Sequence, residues 1–245
     1  MVSPDIYSDR VPSHAPYAAA LRAWHAGDRE ARIRLRSSLG EDETLGVEVF
    51  FRAGDDLLWF DRQALELSRG RVLDLGAGSG VHSLELQSRG HDVLAVESCA
   101  GLVALMRERG VRRAIRADFL RWRGPRFDTV LMLMNGIGPT GTLEGLDRFL
   151  RHAPGFLEPG GQLLLDSAAA IPEAAPVATD AWPPVGDYGG QAWIDLEFEG
   201  RRGRPFRELY ADMDTVRQRA ADTGWKSEVA CEGDGAYLLR LTHPW

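Results

Sequence analysis

Three glycines at alternate positions, Gly76, Gly78 and Gly80, stand between an apolar run (Val72, Leu73, Leu75) and a helical pattern that begins at Val81 and continues through Leu84 and Leu86. A strand that turns through glycines into a helix start gathers backbone N–H groups and the positive end of a helix dipole at one point. Glycine permits the unusual dihedrals of such a turn and lets a ligand lie against bare backbone. In an open α/β sheet this is where a nucleotide-like ligand is held, at the carboxyl end of the first strand. Two details restrict the ligand. The spacing is G-x-G-x-G, so the third glycine of the dinucleotide pattern G-x-G-x-x-G falls on Val81. Asp74, two residues before the first glycine, would repel a pyrophosphate and suits a ligand with a cationic amino group.

Other residues extend the constellation. The run 92–97 reads as a second strand and ends in Glu97, about twenty residues on, where a carboxylate can grip ribose hydroxyls. A third strand-like segment, 114–117, ends in Asp118-Phe119, an acid for an adenine's amino edge and a ring for its face. His82 opens the helix after the glycines and is the best-placed general base. Asn135, in the loop Met134-Asn-Gly-Ile-Gly-Pro139, could orient an acceptor. Arg52, ending a strand expected at 47–51, could pair with a carboxylate. Trp182 and Tyr188 could wall an acceptor pocket. Each also has a purely structural reading: Asp118 as a helix cap, Asn135 as a turn former, Glu97 as a solvated strand end, His82 as a helix-start residue, Arg52 as a surface charge. The joint arrangement carries the argument.

The elements that must position these residues alternate as β and α from about 60 onward, the pattern of a parallel sheet. Strands are expected at 128–134 and 162–166 with a helix near 143–152 between them, and the turn Glu158-Pro-Gly-Gly161 precedes the latter strand. Before this core, 1–14 reads as a mobile arm, 17–24 as a helix, and 33–37 with 47–52 as a short hairpin. After it, 167–190 is rich in Ala, Pro and Gly. A hairpin follows at 192–198 and 206–210, then a helix near 215–221, then closing strands at 227–231 and 236–241.

Composition narrows the function class. At 245 residues, one core with elaborations is expected. A formal net charge of −7 argues against a large nucleic-acid footprint, which needs a basic face. No apolar run approaches the roughly 18–20 residues of a membrane span. Nor does the N-terminus read as a signal peptide. Cys99 and Cys231 are too few for a disulfide scaffold or a zinc site, so no metal and a reducing cytoplasm are expected.

The glycine loop, Glu97 and Asp118-Phe119 together resemble the class I S-adenosylmethionine-dependent methyltransferases over residues 71–166. The resemblance implies a Rossmann-like, doubly wound α/β sheet, mostly parallel with an antiparallel closing strand, plus N-terminal and inserted hairpin or lid elements. It divides the chain into a cap element at 1–60 and a methyltransferase-like domain at 61–245, with an inserted cap at about 167–212. It implies S-adenosyl-L-methionine held by Arg52, Asp74, Gly76, Ala77, Gly78, Glu97, Ser98, Asp118, Phe119 and Met134. His82 and Asn135 would serve the reaction, and Trp182 and Tyr188, in a lid at 167–190, would meet a small-molecule acceptor. The loop at 135–139 departs from the family's Asn/Asp-Pro-Pro-aromatic motif, which weakens the case for methylating nucleobases or amide side chains. The rival readings are a non-catalytic S-adenosylmethionine-binding regulatory or scaffold protein, an NAD-dependent oxidoreductase disfavoured by Asp74, and an RNA methyltransferase.

Overall fold

A computed structural model of the chain describes residues 10–40, 42–168, 182–183 and 186–244. The expected arm at 1–14 lies mostly outside them. Residues 10–14 are tied down: Arg10 Nη1 lies 3.1 Å from Asp195 Oδ2, and Val11 forms a parallel bridge with Gly203. Helix α1 (Ala15–His25) begins with Pro16 in its first turn, where the missing N–H costs nothing. Strands β1 (Arg32–Ser37) and β2 (Glu43–Gly46) pair antiparallel, with Ile33 and Leu35 on one face and Arg32, Arg34 and Arg36 on the other. The strand expected at 47–52 is instead a 3-10 turn over Val47–Phe51. Three residues per turn bring Val47 and Phe50 onto one side. Val47 is fully buried against α1, and the Phe50 ring meets Tyr17 edge-on at 5.0 Å. Packing here overrides the strand propensity of Val and Phe.

After α2 (Trp59–Leu67) the central sheet is built from β3 (Arg71–Leu75), α3 (Val81–Ser88), β4 (Asp92–Glu97), α4 (Ala100–Glu108), β5 (Ala114–Arg116), β6 (Phe127–Met132), α5 (Leu143–His152) and β7 (Leu157–Ala168). The five strands are mutually parallel in the order β7-β6-β3-β4-β5. Both faces are covered by helices, which is why the strands read as nearly continuous apolar runs. Leu73, Leu75, Val130, Met132, Leu163 and Leu165 face α5, and Val72, Leu131 and Leu164 face α2 and α3. The chain order reverses between β3 and β6, so the switch point opens beside the glycine loop.

Strands β8 (Gln191–Phe198), β9 (Arg201–Arg202) and β10 (Phe206–Leu209) do not join this sheet. They extend the N-terminal hairpin into a second, wholly antiparallel sheet, β10-β8-β1-β2, with β9 on β8. Helix α1 lies between the layers, its Ala18, Ala20 and Leu21 packing with Leu102 and Leu105 of α4 and with Ile194 and Leu196 of β8. Helix α6 (Met213–Asp222) then leads to β11 (Lys226–Gly233) and β12 (Ala236–Thr242), and β12 returns antiparallel on β7 to close the central sheet.

Gly80 shows how tightly the turn into α3 is packed. It caps α3 at φ +83°, and a Cβ there would sit 2.8 Å from Val111 Cγ2 and 3.0 Å from Met106 Cγ. Gly80→Ala is expected to cost about 2–4 kcal/mol, from left-handed strain of roughly 1–2 kcal/mol plus overpacking of about 1–3 kcal/mol. Urea unfolding of the two proteins measures it, and a loss below about 1 kcal/mol contradicts this account of the packing.

Candidate active site

The two sheets face one another across a cavity of about 260 Å³. One wall is the carboxyl edge of the central sheet, with Gly76, Ala77, Gly78 and Ser79 of the glycine loop, Glu97, Ser98 and Phe119. The opposite wall is apolar and comes from the second sheet: Ile33, Leu35, Leu45, Ile194, Leu196 and Phe206. Gly76 and Gly78 have φ of +69° and +53°. A Cβ on Gly76 would meet nothing within 4 Å, and one on Gly78 would project to 3.8 Å from the Tyr17 hydroxyl, which also lines the cavity. The backbone here is open to a ligand.

Carboxylates at strand ends hold this edge in shape. Glu97 is 8% exposed; Oε1 accepts from Ser98 Oγ (3.1 Å) and Cys99 N (2.9 Å), and Oε2 accepts from Gly78 N (3.2 Å). Of its roughly four lone-pair sites, one stays free and another is held by a hydroxyl that can rotate away. Asp166 on β7 accepts from Gly136 N (2.7 Å) and Met134 N (3.0 Å). Those two bonds fix a loop in which Met134 (φ 64°) and Asn135 (φ 57°) are both left-handed, a conformation that persists only when its surroundings impose it. Burial pushes the Asp166 carboxyl up to about 6, against the pull of these two N–H groups.

A family model described as a methyltransferase domain matches residues 72–161. An S-adenosylmethionine-dependent methyltransferase from Bacteroides fragilis, solved with S-adenosyl-L-homocysteine, is 32% identical over 98% of this chain and 100% of its own, with a TM-score of 0.84. The chain belongs to the S-adenosylmethionine-dependent methyltransferases. Its cofactor is S-adenosylmethionine. DesVI of Streptomyces venezuelae (20% identity, TM-score 0.54, 76% of this chain and 92% of that one) shares the fold. So does CalS10, an amino pentose methyltransferase from Micromonospora echinaspora (24%, 0.52, 76% and 88%). No curated protein matches the chain.

Within this methyltransferase the residues singled out in the sequence fall into three groups. Gly76, Ala77, Gly78, Glu97, Ser98, Phe119, Met134 and His82 all line the cavity. Two others lie just behind its wall. Asp74, 2% exposed, faces α3 and accepts from Ser83 Oγ at 2.6 Å. The Asn135 amide donates to Glu208 Oε1 (3.2 Å) and Leu209 O (3.3 Å), while its oxygen accepts from Ser167 Oγ (2.9 Å).

The remaining four are elsewhere. Arg52 lies in a separate surface groove with Trp24, Phe51 and Arg109, because the 3-10 turn delivers Phe50 to the cavity and carries the chain past it. Asp118 caps the next turn, accepting from Leu120 N at 3.0 Å, so only its neighbour Phe119 reaches the cavity. Tyr188 bonds through its hydroxyl to Asp212 Oδ2 (2.8 Å), at the N-cap of α6. Neither it nor the half-buried Trp182 lines the cavity. Residues 169–181, 184 and 185 of the expected lid lie outside the described residues. Among the described residues no group of His, Cys, Asp and Glu is placed to hold a metal ion, and no helix is long and apolar enough to cross a membrane. Sequence reasoning missed Glu208, which lines the cavity from β10. The sequence offers only a partial signal, a carboxylate alternating with Phe206 and Tyr210 on one strand face; the pairing of β10 with β8 brings that face to the cavity.

His82 is less free than a general base at the cavity edge would be. Its Nε2 sits 3.2 Å from Asp61 Oδ1 of α2, both side chains buried. Burial alone would lower the imidazole's affinity for a proton, but Asp61, with Asp74 and Asp166 nearby, holds it above the ordinary histidine value. A base raised in the folded state adds stability below its unfolded value of about 6.5 and loses it as pH rises through the folded value. Wild type should therefore be most favoured over Asp61→Asn below pH of about 6.5, with the gap shrinking toward alkaline pH. Chemical denaturation at several pH values tests the sign, and a gap that widens with pH refutes the charged pair.

Proposed function

We propose that this enzyme methylates a small-molecule acceptor held in the cavity between its two sheets. The observation that carries this reading is the apolar wall supplied by β1, β2, β8 and β10 directly opposite the glycine loop. Such concave, mostly apolar pockets with a few polar groups suit small ligands. A polynucleotide acceptor fits poorly with a formal net charge of −7 and with a lining that contains no Lys or Arg among the described residues.

When bound, the cofactor supplies an electrophilic methyl carbon and takes the electron pair of the broken S–C bond on its sulfur. The backbone of Gly76, Ala77 and Gly78 and the Glu97 carboxylate are the groups that hold it, with Phe119 and Leu102 offering apolar contact to its base. Asp74 acts from below, fixing Ser83 and the start of α3. The second sheet excludes water and holds the acceptor near attack geometry, a contribution worth several kcal/mol in general. Free Cys99 and Cys231 suit a reducing compartment such as the cytoplasm.

Glu97→Ala should weaken S-adenosylhomocysteine binding by roughly 2–4 kcal/mol, since bonds to a charged acceptor contribute about 1.5–3 kcal/mol each and the Gly78 anchor is lost as well. Calorimetry with the purified variant reads this directly. A change of under about twofold, with circular dichroism unaltered, would mean Glu97 serves only the loops.

A further inference from the structure

The cavity's apolar wall contains one carboxylate that cofactor binding does not use. Glu208 projects from β10 into the cavity. Its Oε1 accepts from the Asn135 amide, and among the described residues no donor is placed on Oε2. A Cβ on Gly138 would fall on both Glu208 Oε1 and Asn135 Nδ2, so glycine there leaves the pair the position it occupies. Asn135 is in turn fixed by Ser167 and by its left-handed backbone.

Among the described residues no lysine or arginine neutralises this group, and the His82 imidazole across the cavity is already paired with Asp61. The titratable side chains that face it are Tyr17 and His14 from α1 and its N-terminus, Tyr210 just beyond β10, Glu43 on β2 through Tyr210, and Glu97 and His82 across the cavity. Burial raises both tyrosines, with Glu208 adding to it, so they stay protonated. Burial lowers His14, Glu97 partly opposing, so it is neutral. From β8 come only Ile194 and Leu196. Burial pushes the Glu208 carboxyl up to about 7, with the Asn135 hydrogen bond opposing. A carboxylic acid at that value changes charge near neutrality, the range in which a proton acceptor works best.

We propose that Glu208 binds the methyl acceptor as an ammonium ion and takes its proton, which makes the substrate a small amine on an apolar skeleton. The inference rests on the proposed function above and specifies its substrate class. Among the described lining residues an anionic acceptor would meet two carboxylates, Glu97 and Glu208, no guanidinium or ammonium group, and one imidazole, His82, whose charge Asp61 already offsets. In the proton step an N–H bond breaks and an O–H bond forms on the Glu208 carboxylate, leaving a neutral amine with a free lone pair. The methylated product carries the positive charge again, so one base suffices.

The test uses full-length protein saturated with S-adenosylhomocysteine and matched probes on benzyl and cyclohexylmethyl skeletons, each as amine, alcohol and carboxylate. With wild type, the amines should bind in preference to the other two. Their affinity should rise about tenfold from pH 6 to 8.5 as Glu208 ionises while the amines stay protonated. In Glu208→Gln, which keeps the shape and removes a half-buried charge, amine affinity at pH 8.5 should fall at least about tenfold and lose its pH dependence. S-adenosylhomocysteine affinity should stay within about twofold of wild type. As a second measurement on wild type alone, carbon NMR should find Glu208 titrating near neutrality and shifted downward by amine. Alcohols or carboxylates binding as well as amines, no amine bound at millimolar concentration, an unchanged pH profile in Glu208→Gln, or an ordinary Glu208 titration each overturn the assignment. Failure of wild type to bind S-adenosylhomocysteine would instead defeat the reading of the site beneath it.

Discussion

Carboxylates buried at the ends of parallel strands are the constraint on which the site depends. Asp74 on β3, Glu97 on β4 and Asp166 on β7 all lie at the carboxyl edge of the sheet, and each accepts hydrogen bonds from the segment that follows its own strand or a neighbouring one. A buried carboxylate without such donors is costly. The loops therefore bend to supply N–H and O–H groups, and their paths follow from that need. The glycine loop bends toward Glu97, α3 starts where Ser83 reaches Asp74, and 134–136 adopts left-handed backbone to reach Asp166. The side of the loop where Gly76 and Gly78 carry no Cβ stays open, and it is the surface a cofactor can use.

The second sheet meets this edge through α1, which is buried on both sides. Its strands come from the two ends of the insertion scheme: β1 and β2 precede the core, and β8 to β10 follow it. Antiparallel pairing of β1 with β8 joins segments some 160 positions apart, from Arg34 with Glu197 to Ser37 with Ile194. The buried Asp195, paired with Arg10 and Arg202, locks the N-terminal segment onto the same sheet. Removing one partner of such a pair leaves an uncompensated charge, so the contact defines where the first residues go even if it adds little net stability.

Much of this was legible in the sequence because the physics is local. The run from Val72 to Val81 states strand, turn and helix start in ten residues, and Glu97 is reached by one strand's length. The parallel core follows from apolar runs separated by helical periods. The failures share a cause. Residues 47–51 have strand-forming side chains, but Tyr17 against Phe50 and Trp24 against Phe51 set their path through contacts no local pattern encodes. Arg52 was misplaced with them. Asp118 is held by a local donor, Leu120 N, as the cap of the following turn, a role a strand-end acid shares with ligand binding in sequence. Tyr188 looked like a pocket wall because aromatics often are, whereas its hydroxyl serves α6. Glu208 was overlooked because its significance depends on β10 facing the glycine loop, a fact of topology.

The same topology explains why the free protein tolerates Glu208. In an apolar wall with one amide neighbour, the charged form lacks the water it would have in the unfolded chain, and folding is weakened as the group ionises. A leucine there would pack with Phe206 and Ile194 at no such cost. The fold nevertheless places a glycine at 138, the amide of Asn135 and, behind it, the Ser167 hydroxyl around this one carboxylate. Those features make sense together if the penalty is relieved in another state. A cation placed against Oε2 relieves it, and the relief appears as binding free energy. On the proposed reading, the wall is therefore less stable alone than an apolar one and more selective once filled, because neutral or anionic ligands leave the penalty in place.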